Sequence, residues 1–289
     1  MKPGVYSIAS DKYHADDVGL SGPSLSTSIA KILIGQSPRH AWMQHPKLNP
    51  SYRPDEDSKF DLGSAAHAYL LEGEDKMHIV DADDWRTKAA KEERDQARKD
   101  GFFPLLKKQA DDVKLMAAEA RQAVFNCPDL GCALQDGDAE QTVIWQDIGT
   151  WCRVRPDWMR KDRRIILDYK TTTSANPEDF NLQIVRMGYD IQAAFYTRGI
   201  QAITGVDTKF VFLVQETESP YICSFVGMPP AYMALGEDKA LTAIRLWADC
   251  LKNSKWPAYS NRIHWAEPPA WAASKWMERS EQVDYSDQA

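Results

Sequence analysis

The sequence predicts an α/β fold, a mixed central sheet flanked by helices with an added N-terminal helical region. Strand-like runs at 140–148, 150–159 and 163–171 follow one another through short turns, as an antiparallel meander would. A long helical stretch from Pro177 to about Ile203 separates them from two more strand patterns, "DTKFVFLVQET" and "YICSFVGM". The order β-β-β-α-β-β, with helices before and after, leaves a sheet that helices must cover.

Each helical element has a local signal. "LSGPSLSTSIAKILIGQSPRHAWMQHP" carries two helix starts: Ser24 or Ser26 caps the first, and Ser37-Pro38 opens the second as cap and first-turn proline. "KFDLGSAAHAYLLEG" sets Leu62, Ala65, Ala66, Tyr69 and Leu70 at helical spacing, carries His67, and stops at Gly73. From Asp83 to Phe125 the chain is charged, and Gly101 and Pro104 divide it into two exposed, amphipathic helices. "AYMALGEDKALTAIRLWADCLKN" is the last strong helix. With no internal repeat or low-complexity linker, a single domain is expected over 1–276, helical to about 135 and sheet-containing beyond. Residues 277–289 read as a polar, disordered tail.

The chain of 289 residues has a net charge of -7, which argues against a surface coated in positive potential. No apolar run approaches the roughly 18 residues of a membrane span, and "MKPGVYSIAS" lacks the apolar core of a secretory signal, so a cytosolic location is expected. The five cysteines include no C-x-x-C pair and read as free, mostly buried thiols. Charge is uneven: residues 153–170 hold seven basic side chains against three acids, which a hairpin with a solvated basic turn, "RKDRR", would explain.

The stretch "RRIILDYKT" concentrates the chemistry. Asp168 and Lys170 are two apart on an apolar strand and so share one face. Pro156-Asp157 lies near the end of the preceding strand, and a hairpin can bring these residues together. Two converging carboxylates repel unless a cation lies between them, and oxygen ligands suit Mg²⁺ or Mn²⁺. Lys170 could orient a hydrolytic water or offset charge growing on a phosphate. A surface ion pair at a frayed strand end is the alternative.

Pro156-Asp157 followed by Asp168-Tyr169-Lys170 resembles the PD-(D/E)xK nuclease motif, and the surroundings resemble its RecE (exonuclease VIII) branch. The Ser-rich segment with Ser37-Pro38-Arg39-His40, "GSAAHAYLLEG", and Gln192 with Tyr196 occur in the same order as in that branch, so the likeness runs from about 12 to 270. It implies a restriction-endonuclease-like core, with His67, Asp157, Asp168 and the Tyr169 carbonyl as metal ligands and Lys170 as the catalytic lysine. Gln192 and Tyr196, four apart on one helix face, would hold Lys170 or a phosphate, or simply pack. An acid near the first strand of the meander assists the metal in related nucleases, which points to Glu140. Arg39, His40, Arg153, Arg155 and Thr171 are the DNA-binding candidates.

The activity so implied is a Mg²⁺-dependent exodeoxyribonuclease, with Mn²⁺ able to substitute, that degrades linear double-stranded DNA 5′ to 3′ and leaves 3′ tails for recombination by annealing. A phage or prophage protein acting in the cytoplasm of a bacterial host is expected. So are a toroidal homo-oligomer around the duplex and a single-strand annealing protein as partner. Two rivals remain: a noncatalytic DNA-binding or assembly module retaining the fold, and an endonuclease of the same superfamily. An iron-sulfur nuclease would need four cysteines in a cluster spacing that this chain lacks.

Overall fold

The computed structural model describes residues 1–53, 62–73, 76–130 and 133–283; Cys132 and the last six residues of the expected polar tail lie outside the described residues. The elements begin with β1 (Gly4–Tyr6), α1 (Ser10–His14) and β2 (Ser24–Ser26). Ser26 caps α2 (Thr27–Gly35), its side chain accepting from the Ile29 N–H at 3.4 Å, whereas Ser24 lies within β2. Ser37 caps α3 (Pro38–Met43) in the same way, with the proline in the first turn where its missing N–H is not needed. The helix of His67 is α4 (Leu62–His67), which continues as a π-helix over Ala68–Glu72 and ends at Gly73 in the left-handed region, φ 68°.

Next come β3 (Met77–Val80), α5 (Lys88–Lys99), β4 (Phe103–Leu106) and α6 (Lys107–Asn126). Strands β3 and β4 pair in parallel as a two-stranded sheet, where Pro104 is tolerated because the strand has an open edge. The expectation of two exposed helices is corrected for α6. Its Ala110, Val113, Met116, Ala117, Ala120 and Val124 are buried at three- and four-residue spacing, an apolar stripe laid on the main sheet.

The expected meander is also corrected, because it is shared between two sheets. β5 (Gly137–Ala139), β6 (Thr142–Asp147), β7 (Thr150–Val154), β8 (Trp158–Arg160) and β9 (Ile165–Thr172) follow in sequence. One sheet has the order β1-β6-β7-β2. Then come α7 (Pro177–Met187), α8 (Tyr189–Thr204), β10 (Lys209–Glu216), β11 (Cys223–Gly227), α9 (Pro230–Asn253) and α10 (Ala270–Val283), and the second sheet has the order β11-β10-β9-β8-β5. The run "TWCRVRPDWM" is therefore two strands. Pro156 has no N–H to give a ladder, so the chain leaves one sheet after Val154 and enters the other at Trp158. The predicted helix 177–203 likewise breaks at Gly188, whose φ of 61° closes α7 and opens α8.

β9 is central, antiparallel to β8 and parallel to β10, which requires the long α7–α8 crossover. Its alternate residues serve two cores. Ile166 joins Phe180, Phe195, Phe212 and Trp247 beneath α2, α8 and α9, while Ile165, Leu167 and Tyr169 join Leu105, Val113 and Met116 beneath α6. Asp168 and Lys170 share the parity of Ile166 and so face the α8 side.

The chain divides into two compact units, Met1–Pro257 and Ala258–Ala289; the second contains α10, so residues 277–283 are helical. No helix among the described residues is long and apolar enough to cross a membrane. The four described cysteines are free, with Cys152 and Cys250 buried.

A buried polar knot fixes the N-terminal segment to the first sheet. Arg153 is 3% exposed, its Nη1 lying 2.7 Å from Asp16 Oδ1 and donating to the Ser24 carbonyl at 2.6 Å. Asp16 also accepts from the Ser24 N–H at 2.9 Å and the Ser24 hydroxyl at 2.5 Å. Arg153, a DNA-binding candidate from the sequence, therefore has its charge turned to a buried carboxylate. Replacing Arg153 by Met strands Asp16 in the interior and should cost about 3–5 kcal/mol in urea unfolding; a change within experimental error would show the pair to be dispensable.

Candidate active site

The sheet crossing at Pro156 delivers Asp157 beside the end of β9. Asp157 Oδ2 accepts from the Tyr169 N–H at 2.9 Å, tying the bend to the strand that carries the other charges. From the opposite side α4 ends at His67, whose Nε2 is 3.3 Å from Asp157 Oδ2 and 3.5 Å from Glu140 Oε1. Glu140 sits between β5 and β6 with φ 54°, and its Oε2 receives Arg155 Nε. Arg155 is fixed in turn by donating through Nη1 to the Ile8 carbonyl at 2.5 Å.

Asp168 is completely buried. Its Oδ2 accepts from Gln192 Nε2 of α8 at 2.5 Å, and its Oδ1 is in contact with Lys170 Nζ and accepts no other hydrogen bond among the described residues. Gln192 Oε1 accepts from Lys31 Nζ of α2 at 3.1 Å, which fixes which end of the amide faces Asp168. Lys31 and Lys170 both lie over the Tyr189 ring, at 4.9 and 5.3 Å from its centre.

The electrostatics follow from burial and crowding. Burial, then the neighbouring Asp157, push the Asp168 carboxyl up to about 6 against the pull of Lys170. Burial also acts to raise Asp157, but His67 and Lys170 outweigh it and hold Asp157 below the usual carboxylate range. Burial and Asp157 raise Glu140. Burial opposes charge on Lys170, yet Asp168 and Asp157 hold its ammonium above the ordinary lysine value. Burial and the nearby Lys170 lower Lys31 to about 8. His67 is opposed by burial, but Asp157, Glu140 and Asp168 carry it up to about 9.

The donor set fits a divalent cation. Carboxylates crowd at mutual cost, one buried oxygen of Asp168 is met among the described residues by an ammonium alone, and an imidazole nitrogen lies within 3.5 Å of two of the acids. A cavity of about 700 Å³ opens here, lined among others by Ser64, His67, Glu140, Arg155, Lys170 and Thr171.

Of the residues expected from sequence, His67, Glu140, Arg155, Asp157, Asp168, Tyr169, Lys170, Thr171 and Gln192 come together here. Tyr196 does not face the cavity: it is buried, and its hydroxyl donates to the Arg155 carbonyl at 3.3 Å, a brace for the bend. The Tyr169 side chain lies on the face of β9 opposite Asp168 and Lys170, its ring centre 6.2 Å from that of His67 and its hydroxyl donating to Gln215 Oε1 at 2.5 Å. Arg39 and His40 are not among the residues lining the cavity: Arg39 lies on the Trp42 ring at 4.7 Å, and His40 Nδ1 is 2.6 Å from Ser37 Oγ within its own helix cap. Sequence reasoning did not single out Lys31 and Glu72, although both lie within segments that carry the resemblance; only the helical contact of α2 with α8 and the π-helix place them.

Fold and site together define a PD-(D/E)xK protein. The chain belongs to the PDDEXK-like domain family of unknown function DUF3799, whose model matches residues 26–267. Its structure is similar to that of the "Putative exonuclease" from Eubacterium rectale, with TM-score 0.59, 15% identity, and coverage of 93% of this chain and 98% of that one. A phage related exonuclease from Haemophilus somnus 129PT aligns at 10% identity over 82% of this chain and 99% of that chain with TM-score 0.33. An alkaline exonuclease from Laribacter hongkongensis aligns at 13% identity over 66% and 96% with TM-score 0.25. At 15% identity the first likeness concerns the fold alone, and the two weaker ones carry no weight. No curated protein matches the sequence. The superfamily and the restriction-endonuclease-like fold expected from the sequence are met.

In EDTA the His67 imidazole should titrate by NMR at about 9, and Asp157→Asn should bring it back toward the ordinary value. Because the folded value is raised, the imidazolium contributes its full stabilisation below the unfolded value of about 6.5 and loses it as pH climbs through about 9. A His67 titration near 6.5 would refute the cluster's electrostatics.

Proposed function

We propose that this protein is a divalent-cation-dependent deoxyribonuclease acting on the ends of linear duplex DNA. One observation carries the reading: Asp157, Asp168 and Lys170 meet at the end of β9, joined through the Tyr169 N–H and faced by His67. His67, Asp157, Asp168 and the Tyr169 carbonyl would hold the cation, Mg²⁺ or Mn²⁺. When bound, it supplies Lewis-acid stabilisation to the scissile phosphate and favours deprotonation of water. Lys170 offers its ammonium to the charge that grows on the phosphate in the transition state. Gln192, oriented by Lys31, holds the buried Asp168 carboxylate in one rotamer, and Tyr196 braces the bend beneath Arg155. Arg155 and Thr171 line the cavity and would donate to phosphate oxygens.

The finer features come from the RecE-like resemblance. They are digestion 5′ to 3′, 3′ tails for annealing-based recombination, a toroidal homo-oligomer, a single-strand annealing partner and action in a bacterial cytoplasm. The complete set of acids and lysine favours catalysis over a noncatalytic DNA-binding module. End-labelled linear duplex with Mg²⁺ should be degraded, while EDTA should stop the reaction and covalently closed circles should survive. Asp168→Asn and Lys170→Met should each slow hydrolysis by about 10²-fold or more. Cleavage of closed circles would replace this reading with an endonuclease, and full activity of Asp168→Asn would remove Asp168 from the chemistry.

A further inference from the structure

Two ammoniums of the site lie over one aromatic ring, that of Tyr189. Lys170 Nζ is 5.3 Å and Lys31 Nζ 4.9 Å from its centre, both inside the roughly 6 Å over which a ring face attracts a cation. The ring closes a circuit. Asp168 Oδ1 contacts Lys170 Nζ, Asp168 Oδ2 accepts from Gln192 Nε2, Gln192 Oε1 accepts from Lys31 Nζ, and both lysines return to Tyr189.

Local structure puts the ring there. Gly188, with φ 61°, ends α7 and makes Tyr189 the first residue of α8. Gln192 follows three positions later, so amide and ring share one face of the helix, and Lys31 from α2 reaches both. The core fixes the ring plane: Phe180 stacks on it with centres 5.8 Å apart at 24°, and the Phe212 ring is 5.4 Å away. Both phenylalanines are completely buried.

An ammonium beside a buried carboxylate is drawn into a close ion pair, and two ammoniums near one another repel. An aromatic face attracts both while carrying no net charge. A carboxylate in its place would hold the lysines more strongly, but it would compete for a cation and repel a phosphate.

We propose that Tyr189 is a positioning residue: its ring holds Lys170 toward the scissile phosphate and Lys31 on Gln192, and so sets the rate of hydrolysis through the two lysines rather than by touching DNA. The proposal rests on the nuclease reading of the cleft.

The test uses the full chain with phenylalanine, difluorophenylalanine or trifluorophenylalanine at position 189, a series that nearly keeps the ring's shape while draining negative charge from its face. On end-labelled linear duplex with Mg²⁺, kcat should fall stepwise from Tyr189→Phe to the trifluoro variant, by about tenfold in all, while KM changes less than about twofold. In EDTA, the ε-methylene protons of Lys170 and Lys31 should resonate upfield of those of other lysines, shielded by the ring. Tyr189→Leu should return both signals to ordinary positions, with circular dichroism matching wild type. A kcat that does not respond to fluorination would overturn the positioning role and leave the nuclease reading intact. A KM that rises while kcat holds would also overturn it, because the ring would then bind DNA itself. Lysine signals at ordinary positions in wild type would overturn the contacts on which the role depends. A wild type inactive with both Mg²⁺ and Mn²⁺ would remove the nuclease reading and the positioning role together.

Discussion

The constraint on which the site depends is the burial of a carboxylate beside a second carboxylate. Asp168 has no solvent exposure, and Asp157 is bound to the backbone N–H of the next residue on the same strand. Neither could stay ionised alone, because low dielectric and like charge both favour the neutral acid. The fold answers with cations and donors drawn from four separate elements: Lys170 from β9, Gln192 from α8, Lys31 from α2 and His67 from α4. Each fixes part of the tertiary arrangement, so electrostatics and topology are one problem. A cation bound among these oxygens would meet groups that are already oriented, which lowers the reorganisation needed on binding.

The transfer of the chain between sheets at Pro156 is the geometric counterpart. Had the strand continued, Asp157 would have remained within a ladder, its direction set by the pleat. The break frees it to reach the N–H of Tyr169, and Tyr196 supports the bend from below by donating to the carbonyl just before Pro156. β9 then completes the division of labour. Its odd residues pack under α6 and its even residues face α8, so the charges emerge on one side only.

Much of this was legible in the sequence. Asp168-x-Lys170 at the end of an apolar run, the preceding Pro156-Asp157 and the helix of His67 are local patterns, and all meet in the cavity or beneath it. What the sequence did not show was tertiary in origin. Arg153 and Arg155 are two apart and equally basic, yet one pairs with the buried Asp16 and the other with Glu140, because they face different partners from a strand and from the bend after it. Period-2 reasoning gives shared facing within a strand but does not say where the strand ends. Gly188 was visible as a residue yet not as a break, since the apolar spacing runs on across it. Glu72, five residues after His67, could not be found by spacing at all: i+5 is the wrong period for an α-helix and becomes meaningful only once the π-turn is known.

The distribution of basic residues bears on how an acidic chain handles a polyanion. The turn "RKDRR" carries a local surplus of positive charge, but its side chains pair close to home: Arg160 with Asp162 at 3.0 Å, Lys161 with Asp136 at 3.4 Å and Arg163 with Asp138 at 3.9 Å. Exposed pairs of this kind are weak, yet they reduce the field the turn presents to a distant phosphate. Lys170 and Arg155 line the cleft, where low dielectric and fixed geometry make a charge count for more than on the surface. Affinity for DNA would then depend on what the cleft binds, the cation included, rather than on the charge of the surface at large.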